Sequence, residues 1–281
     1  MTMQQMLLGL GSSAAGDWDL ASAVYDNISF SVASQQNVPS GLAFNDDGTK
    51  MYVCGSQATN NICEYALSIA WDISSATFTA AIDSTVVFTG GVSESDPRGI
   101  FFKPDGTIIF VVGNSNDYIF QGTLSTPWDI TTTMQTTAVD LSGQTTDPTG
   151  IFIKSDGTKM YVSSSDGSDS IYQYTLTTPW TVAGTSYDGA SVSISAQDDT
   201  PANIFFKPDG MKIFVLGSQN QAVYQYGLSF PWDISTATYD SVSFSVNPPE
   251  GAVVGGLSFK PDGTKMYTVG ATNDTVYQYS L

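Results

Sequence analysis

One fifteen-residue pattern occurs five times along the chain. The stretch GLSFKPDGTKMYTVG at residues 256–270 returns, with small changes, from residues 41, 99, 150 and 203. Successive copies start 58, 51, 53 and 53 residues apart. A period of this size is typical of solenoids and propellers, in which each repeat is one supersecondary unit stacked on its neighbours. The period therefore limits the fold more strongly than any other feature of the sequence.

Four short segments in each repeat alternate apolar and polar residues, which indicates half-buried strands. We name their positions A to D. In the last repeat, A to C are residues 257–259, 265–269 and 276–281, and residues 28–32 at the start of the chain supply D. An Asp-Gly pair joins A to B in every repeat, at Asp47-Gly48, Asp105-Gly106, Asp156-Gly157, Asp209-Gly210 and Asp262-Gly263. Asp-Gly between alternating segments is a strong hairpin signal, because glycine adopts positive φ without steric cost.

Five repeats of four strands predict an all-β fold, a five-bladed β-propeller with four-stranded antiparallel blades. The two chain ends are halves of one repeat: the first begins at Trp18, and the last stops at Leu281, where its tryptophan is due. We therefore expect residues 28–32 to pair with residues 276–281 and close the ring. The expected domains are one propeller over residues 17–281 and a flexible or docking leader at residues 1–16.

Charge and composition exclude several functions. Nine basic residues stand against 27 acidic ones, giving a net charge of −18, and the chain has no histidine. Phosphate binding requires Lys and Arg, so we expect no nucleic acid partner. Catalytic triads that use histidine are also excluded. No segment approaches the roughly 18 apolar residues of a membrane span, so we expect no membrane insertion.

Cys54 and Cys63 are the only cysteines and flank one predicted hairpin loop. Two interpretations are open at this point. They could form a disulfide across the two strands, or they could be small apolar residues within the strands. Two cysteines are too few for a disulfide scaffold or a structural zinc site.

The charges separate by loop. In a propeller, the D-to-A and B-to-C loops share one face, here called the top face, and the A-to-B and C-to-D loops share the bottom face. All eight lysines flank A-to-B hairpins and belong to the bottom face. The top face holds ten carboxylates and the single arginine, Arg98. The candidate ligand-binding residues are Asp96, Arg98, Asn116, Asp147, Asp166, Asp199, Asn220, Glu250 and Asn273.

Oxygen ligands around a channel mouth suit a hard cation such as calcium, and Asp96, Asp147 and Asp199 are the candidate metal ligands. Ordinary turn chemistry is the competing interpretation, because Asp before Pro and Asn, Asp, Ser and Gly in short loops are common turn formers.

The segments PDGTKMYTVG and TVYQYSL resemble the YVTN-type propeller repeats of surface-layer and lactonase-like proteins. This resemblance covers residues 17–281 and implies the propeller fold. It does not carry over the lactonase activity, because relatives with that activity usually have six to eight blades and use histidine among their ligands. The leader MTMQQMLLGLGSS is similar to the N-termini of structural proteins of tailed marine phages, which implies a virion setting.

Three functions are compatible with these observations. The first is a non-enzymatic binding or structural propeller, extracellular or on a virion, that recognises a glycan or host-surface polymer through the top loops. The second is a glycoside hydrolase, which needs only two carboxylates about 5–9.5 Å apart and could draw them from Asp96, Asp147 and Asp199. The third is an architectural virion decoration protein whose residues 1–16 dock on other virion proteins.

Overall fold

Five four-stranded antiparallel sheets form the ring that the repeat predicts. The computed structural model describes residues 18–56, 61–88, 93–251 and 253–281. The predicted leader lies outside these residues. Each sheet is one blade, and the blades follow one another around the ring in chain order. Within a blade, strand positions A to D run from the propeller axis outward. The prediction of a five-bladed propeller is confirmed.

The strands have the following bounds, in blade order. Blade 1 contains β2 (Pro39–Phe44), β3 (Lys50–Gly55), β4 (Asn61–Leu67) and β5 (Ala76–Asp83). Blade 2 contains β6 (Pro97–Phe102), β7 (Ile108–Gly113), β8 (Tyr118–Leu124) and β9 (Thr133–Asp140). Blade 3 contains β10 (Pro148–Ile153), β11 (Lys159–Ser164), β12 (Ser170–Thr178) and β13 (Thr181–Ser193). Blade 4 contains β14 (Pro201–Phe206), β15 (Lys212–Gly217), β16 (Ala222–Leu228) and β17 (Ala237–Ser245). Blade 5 contains β18 (Val254–Phe259), β19 (Lys265–Gly270), β20 (Thr275–Ser280) and β1 (Val24–Ser31).

Helical structure is confined to single turns. Short 3-10 turns precede the outer strand of four blades, at Leu20–Ser22, Ile73–Ser75, Ile130–Thr132 and Ile234–Thr236, and one α-helical turn spans Ser84–Val87. Among the described residues, no helix has the length and apolar character needed to span a bilayer.

The two ends of the chain close the ring, as predicted. β1 pairs antiparallel with β20, with Ser29 opposite Tyr277. Asp26 reinforces this seam, because its carboxylate accepts hydrogen bonds from Lys265 Nζ at 2.8 Å, Gln278 Nε2 at 2.8 Å and Ser280 Oγ at 2.6 Å. The first and last strands thus share both a backbone ladder and a largely buried side-chain network.

Glycine lets the five innermost strands approach closely around the axis. It occupies the third position of β2, β6, β10 and β18, and Asn203 takes this place in β14. A Cβ added to Gly99 would lie 2.9 Å from Gly150 Cα, and one added to Gly150 would lie 2.8 Å from Asn203 Cα. Larger side chains here would push neighbouring blades apart.

The five tryptophans support the Asp-Gly turns on the bottom face. All five have positive φ, between 63° and 65°, and each donates its backbone N–H to the carbonyl of the turn glycine in its own blade. The indole lies directly on that glycine, where a Cβ would overlap it. In three blades a tyrosine from the preceding blade also donates its hydroxyl to the tryptophan carbonyl at 2.7 Å, from Tyr52, Tyr161 and Tyr267. The repeated turn therefore also joins neighbouring blades.

Cys54 and Cys63 are buried free thiols, which decides between the two interpretations of this pair. Cys54 pairs with Ile62 and Val53 pairs with Cys63, so the two thiols point to opposite faces of the sheet. Each packs in the core between a different pair of blades.

Asp26→Ala should destabilise the fold more than Asp188→Ala does. Asp188 accepts from Lys159, Gln173 and Thr175, almost the same set of partners, and the two carboxylates are 14% and 15% exposed. Loss of either network should cost about 1–3 kcal/mol. Only Asp26 joins the two chain ends, so its loss should also weaken the seam of the ring. Urea unfolding gives the free energies, and hydrogen exchange should accelerate selectively in β1 and β20. Equal costs with unchanged exchange would contradict a special role for the seam.

Candidate binding sites at the two ends of the central channel

Two cavities lie on the propeller axis, at opposite ends. The top cavity, of about 220 Å³, is lined by the beginnings of the innermost strands. The bottom cavity, of about 240 Å³, is lined by the ends of the same strands and by the hairpins that follow them. The closely packed third positions of the innermost strands lie between the two cavities.

Hydroxyl groups line much of the top cavity. The second position of the innermost strands contributes Ser40 and Thr149, whose hydroxyls donate to the carbonyls of Pro97 at 2.7 Å and Pro201 at 2.6 Å in the next blade. Further hydroxyls come from Ser56, Thr200, Ser165 and Ser218. Since a hydroxyl that donates keeps its lone pairs, this wall can accept hydrogen bonds from a ligand.

Arg98 occupies the same second position in blade 2 and is the only one of the nine candidate ligand-binding residues that lines this cavity. Its Nη2 donates to Asp96 Oδ2 at 2.8 Å. Arg98 Nε and Asp96 Oδ1 are both shielded from solvent and have no hydrogen-bond partner among the described residues. The pair therefore combines an ion pair with unused hydrogen-bonding capacity.

The structure does not gather the other candidate acids into a cluster. Asp147 accepts from the Ser165 hydroxyl. Asp166 accepts from the backbone N–H of Ser168 in its own turn and from that of Thr146 in the preceding D-to-A loop. The Asp199 residue is exposed. Within the described ranges, no three Asp, Glu, Cys or His side chains lie close enough together to hold a metal ion. The candidate metal ligands Asp96, Asp147 and Asp199 are thus not brought together in the described part of the chain.

The three candidate asparagines hold loops together. Asn116, Asn220 and Asn273 lie in B-to-C loops, and each donates its side-chain amide to a backbone carbonyl of the neighbouring D-to-A loop. For Asn220 the acceptor is Gln197 at 2.8 Å, and for Asn273 it is Glu250 at 2.8 Å. These donors are occupied by the fold.

Four of the ten carboxylates assigned to the top face are instead buried, those of Glu94, Asp169, Asp198 and Glu250. Glu94, Asp198 and Glu250 are at most 1% exposed. Each lies over a glycine that ends the second strand of its blade, where a Cβ would crowd the carboxylate. Asp198 accepts three backbone N–H groups, from Thr200, Gln219 and Asn220. The surface charge of the top face is therefore smaller than the sequence count suggests.

Glu250 differs from its counterparts in the other blades. Four blades place Gln36, Glu94, Thr145 or Asp198 here, each accepting the backbone N–H two residues later. Glu250 is followed by one more residue before its innermost strand, and neither of its carboxylate oxygens has a partner among the described residues. Burial raises the pKa of Glu250 to about 8, although the nearby Thr268 hydroxyl opposes this rise.

Sequence reasoning missed the bottom cavity, which is mainly apolar. Its walls include Phe101, Phe152 and Phe205 from three consecutive innermost strands, with Ala43 and Ser258 at the same position in the other two. A comparison of the five repeats at this position would have shown that three of them carry phenylalanine and two carry a small residue. The position was not selected because an aromatic residue in a strand usually belongs to the core.

Glu250→Gln should change the pH dependence of the free energy of unfolding. The folded-state pKa of about 8 exceeds the ordinary value of 4.5, so protonated Glu250 stabilises the fold fully below pH 4.5. This contribution is lost as the pH rises towards 8, by at most about 1.4 kcal/mol per pH unit. The glutamine side chain of the variant does not titrate in this range. The free energy of unfolding of the variant, relative to that of wild type, should therefore increase as the pH rises towards 8. The measurement is urea unfolding at several pH values.

Parallel stability curves for wild type and Glu250→Gln would contradict a neutral, unpartnered Glu250. Asp198→Asn is the structural control at the equivalent place in blade 4. It replaces one of the carboxylate oxygens that accept the three backbone N–H groups, so it should destabilise the protein through lost hydrogen bonds.

Comparison with known proteins gives similarity at the level of solved structures. No protein-family model matches the chain, and no curated protein matches it. A functionally unknown protein from Desulfotomaculum acetoxidans is 15% identical, with 83% of this chain and 62% of that chain covered and a TM-score of 0.48. A "putative 6-phosphogluconolactonase" from Bacteroides fragilis is 15% identical, with 74% and 55% covered and a TM-score of 0.49. One from Bacteroides uniformis is 13% identical, with 85% and 65% covered and a TM-score of 0.49. The chain thus spans less than two thirds of each of these structures.

Proposed function

We propose that this chain is a non-enzymatic binding propeller that takes a sugar ring of a glycan or surface polymer into the top cavity. The observation that carries the proposal is Arg98, which lines a hydroxyl-rich cavity and keeps 37% of its side chain exposed beside its ion pair with Asp96. The guanidinium has several N–H donors, and the ion pair with Asp96 engages Nη2, so donors remain for a ligand oxygen.

The chemistry of the wall suits a sugar better than an apolar ligand. A sugar hydroxyl both donates and accepts, so it can donate to Ser40 or Thr149 and accept from Arg98. The Ser40 and Thr149 hydroxyls already donate to backbone carbonyls, which fixes their orientation before a ligand arrives. The cavity is small, so we expect a chain end or a single ring to enter, and an internal stretch of polymer to remain outside.

The carboxylates around the mouth favour a binding role over hydrolysis. Asp96 is held by Arg98 and Asp147 by Ser165, so both are engaged in positioning neighbouring side chains. The exposed acids of the top face would repel a polyanion, and a neutral glycan is therefore the preferred ligand.

As part of the same proposal, we place this binding outside a cell or on a virion, where residues 1–16 would contact other virion proteins.

Arg98→Ala should weaken glycan binding by about tenfold or more, because a hydrogen bond from a charged donor is lost. Arg98→Lys should retain part of the affinity, since it keeps the charge without the planar fork. The binding partner is first selected on a glycan array with the full chain, and affinities then follow from titration calorimetry.

Asp140→Asn is a suitable control, because Asp140 ends the outermost strand of blade 2 and is exposed. It removes one charge from the top face without touching the cavity. Circular dichroism should show that all variants remain folded. Unchanged affinity in Arg98→Ala, or no binding to any glycan on the array, would refute the proposal.

A further inference from the structure

We propose that the bottom cavity binds an organic cation with an aromatic body, independently of the glycan site at the top. The cavity has three features that together match such a ligand. It has an aromatic wall with a gap, an unpaired carboxylate at the rim, and tryptophan rings beside that rim. The first two features are departures from the five-fold repeat, and the third is part of it.

The aromatic wall is incomplete on one side. Phe101, Phe152 and Phe205 form a row in which neighbouring rings stand edge to face, with centroids 5.2 and 5.3 Å apart. The next two blades carry Ser258 and Ala43 at this position, and they are neighbours across the seam of the ring. The missing rings leave space into which a ligand ring can fit edge to face against the phenylalanines, the arrangement that aromatic pairs prefer.

The rim beside this gap carries a carboxylate without a counter-charge. In four blades a lysine begins the A-to-B hairpin and pairs with the turn aspartate two residues later, in the pairs Lys103–Asp105, Lys154–Asp156, Lys207–Asp209 and Lys260–Asp262. Blade 1 has Asn45 in the lysine position, and its amide donates to Asp47 at 2.8 Å.

Asp46 then stands on the cavity rim, at the position that proline or serine occupies in the other blades. Within the described part of the chain, no lysine or arginine forms an ion pair with it. The Asp46 residue is exposed, and its partial desolvation together with the neighbouring charges of Asp47 and Asp105 raises the pKa of its carboxyl. A bound ammonium group would supply a counter-charge.

Aromatic faces near the rim favour a cation as well. The rings of Trp71, Trp128 and Trp232 line the cavity, and Lys154 Nζ already lies 5.9 Å from the centroid of the Trp232 ring. Cations are attracted to the faces of aromatic rings, most strongly to tryptophan. The ammonium would thus lie between Asp46 and the tryptophan rings, and the aromatic body of the ligand would fill the space beside Ala43 and Ser258.

The test compares two soluble probes of nearly equal shape, 2-phenylethylammonium and neutral 2-phenylethanol, by titration calorimetry with the full chain. We expect saturable binding of the cation at least about fivefold tighter than that of the alcohol. Asp46→Asn should remove this preference and leave the alcohol unaffected. Asp140→Asn, which removes a charge at the opposite end of the molecule, should leave the preference intact.

Ala43→Phe tests the location, because it adds the ring that three other blades carry and fills the gap. It should abolish binding of both probes while the protein remains folded, and Ser258→Phe provides the same test from the neighbouring blade. Equal affinity for the two probes, no saturable binding at millimolar concentration, or cation binding that persists in both filled variants would overturn the proposal. Arg98→Ala should not alter the result, which separates this site from the glycan site.

Discussion

Hydrogen bonding between β1 and β20 is the constraint on which the rest of the structure depends. Each blade buries both faces against its neighbours, so an open ring would expose the apolar faces of blades 1 and 5 together. The Asp26 network reinforces this pairing with donors from two strands at the other end of the chain. Closure of only five blades also brings the innermost strands into backbone contact, which the glycines of the third position permit. The two separate cavities on the axis follow from that contact.

Departures from the repeat are more informative about function than the repeat itself. A residue that recurs in every blade is explained by packing, as the tryptophans on the Asp-Gly turns are. Arg98 and Asp46 each occur at their position in one blade, and their counterparts Thr149 and Pro104 show that the fold forms without them. Glu94 shares the place of Glu250, but the additional loop residue after Glu250 is specific to blade 5. Glu250 illustrates the cost of such a departure. One additional loop residue follows Glu250, and neither of its buried carboxylate oxygens has a hydrogen-bond partner among the described residues, which is costly for a buried polar group.

The sequence was sufficient to predict the architecture, because strand alternation and Asp-Gly turns are local signals that five copies repeat. Ring closure also followed, since the chain ends are complementary halves of one repeat. The sites were harder to predict, because the geometry of the closed ring decides which side chains face the axis. Glu250 was assigned to the top face although its carboxylate is buried over Gly270, and the sequence did not indicate that the amide of Asn273 holds a loop. Of the nine predicted ligand-binding residues, Arg98 lines the top cavity.

The two ends of one channel have opposite chemistry because the innermost strands present different positions to each cavity. The second position faces the top cavity and contributes hydroxyls and Arg98, whereas the fifth position faces the bottom cavity and contributes phenylalanines. The close-packed third position lies between them. A substitution at one end therefore reaches the other end only through the backbone of the ring, whose pairing is fixed by β1 and β20. This separation gives one small propeller two cavities of different chemistry on the same axis.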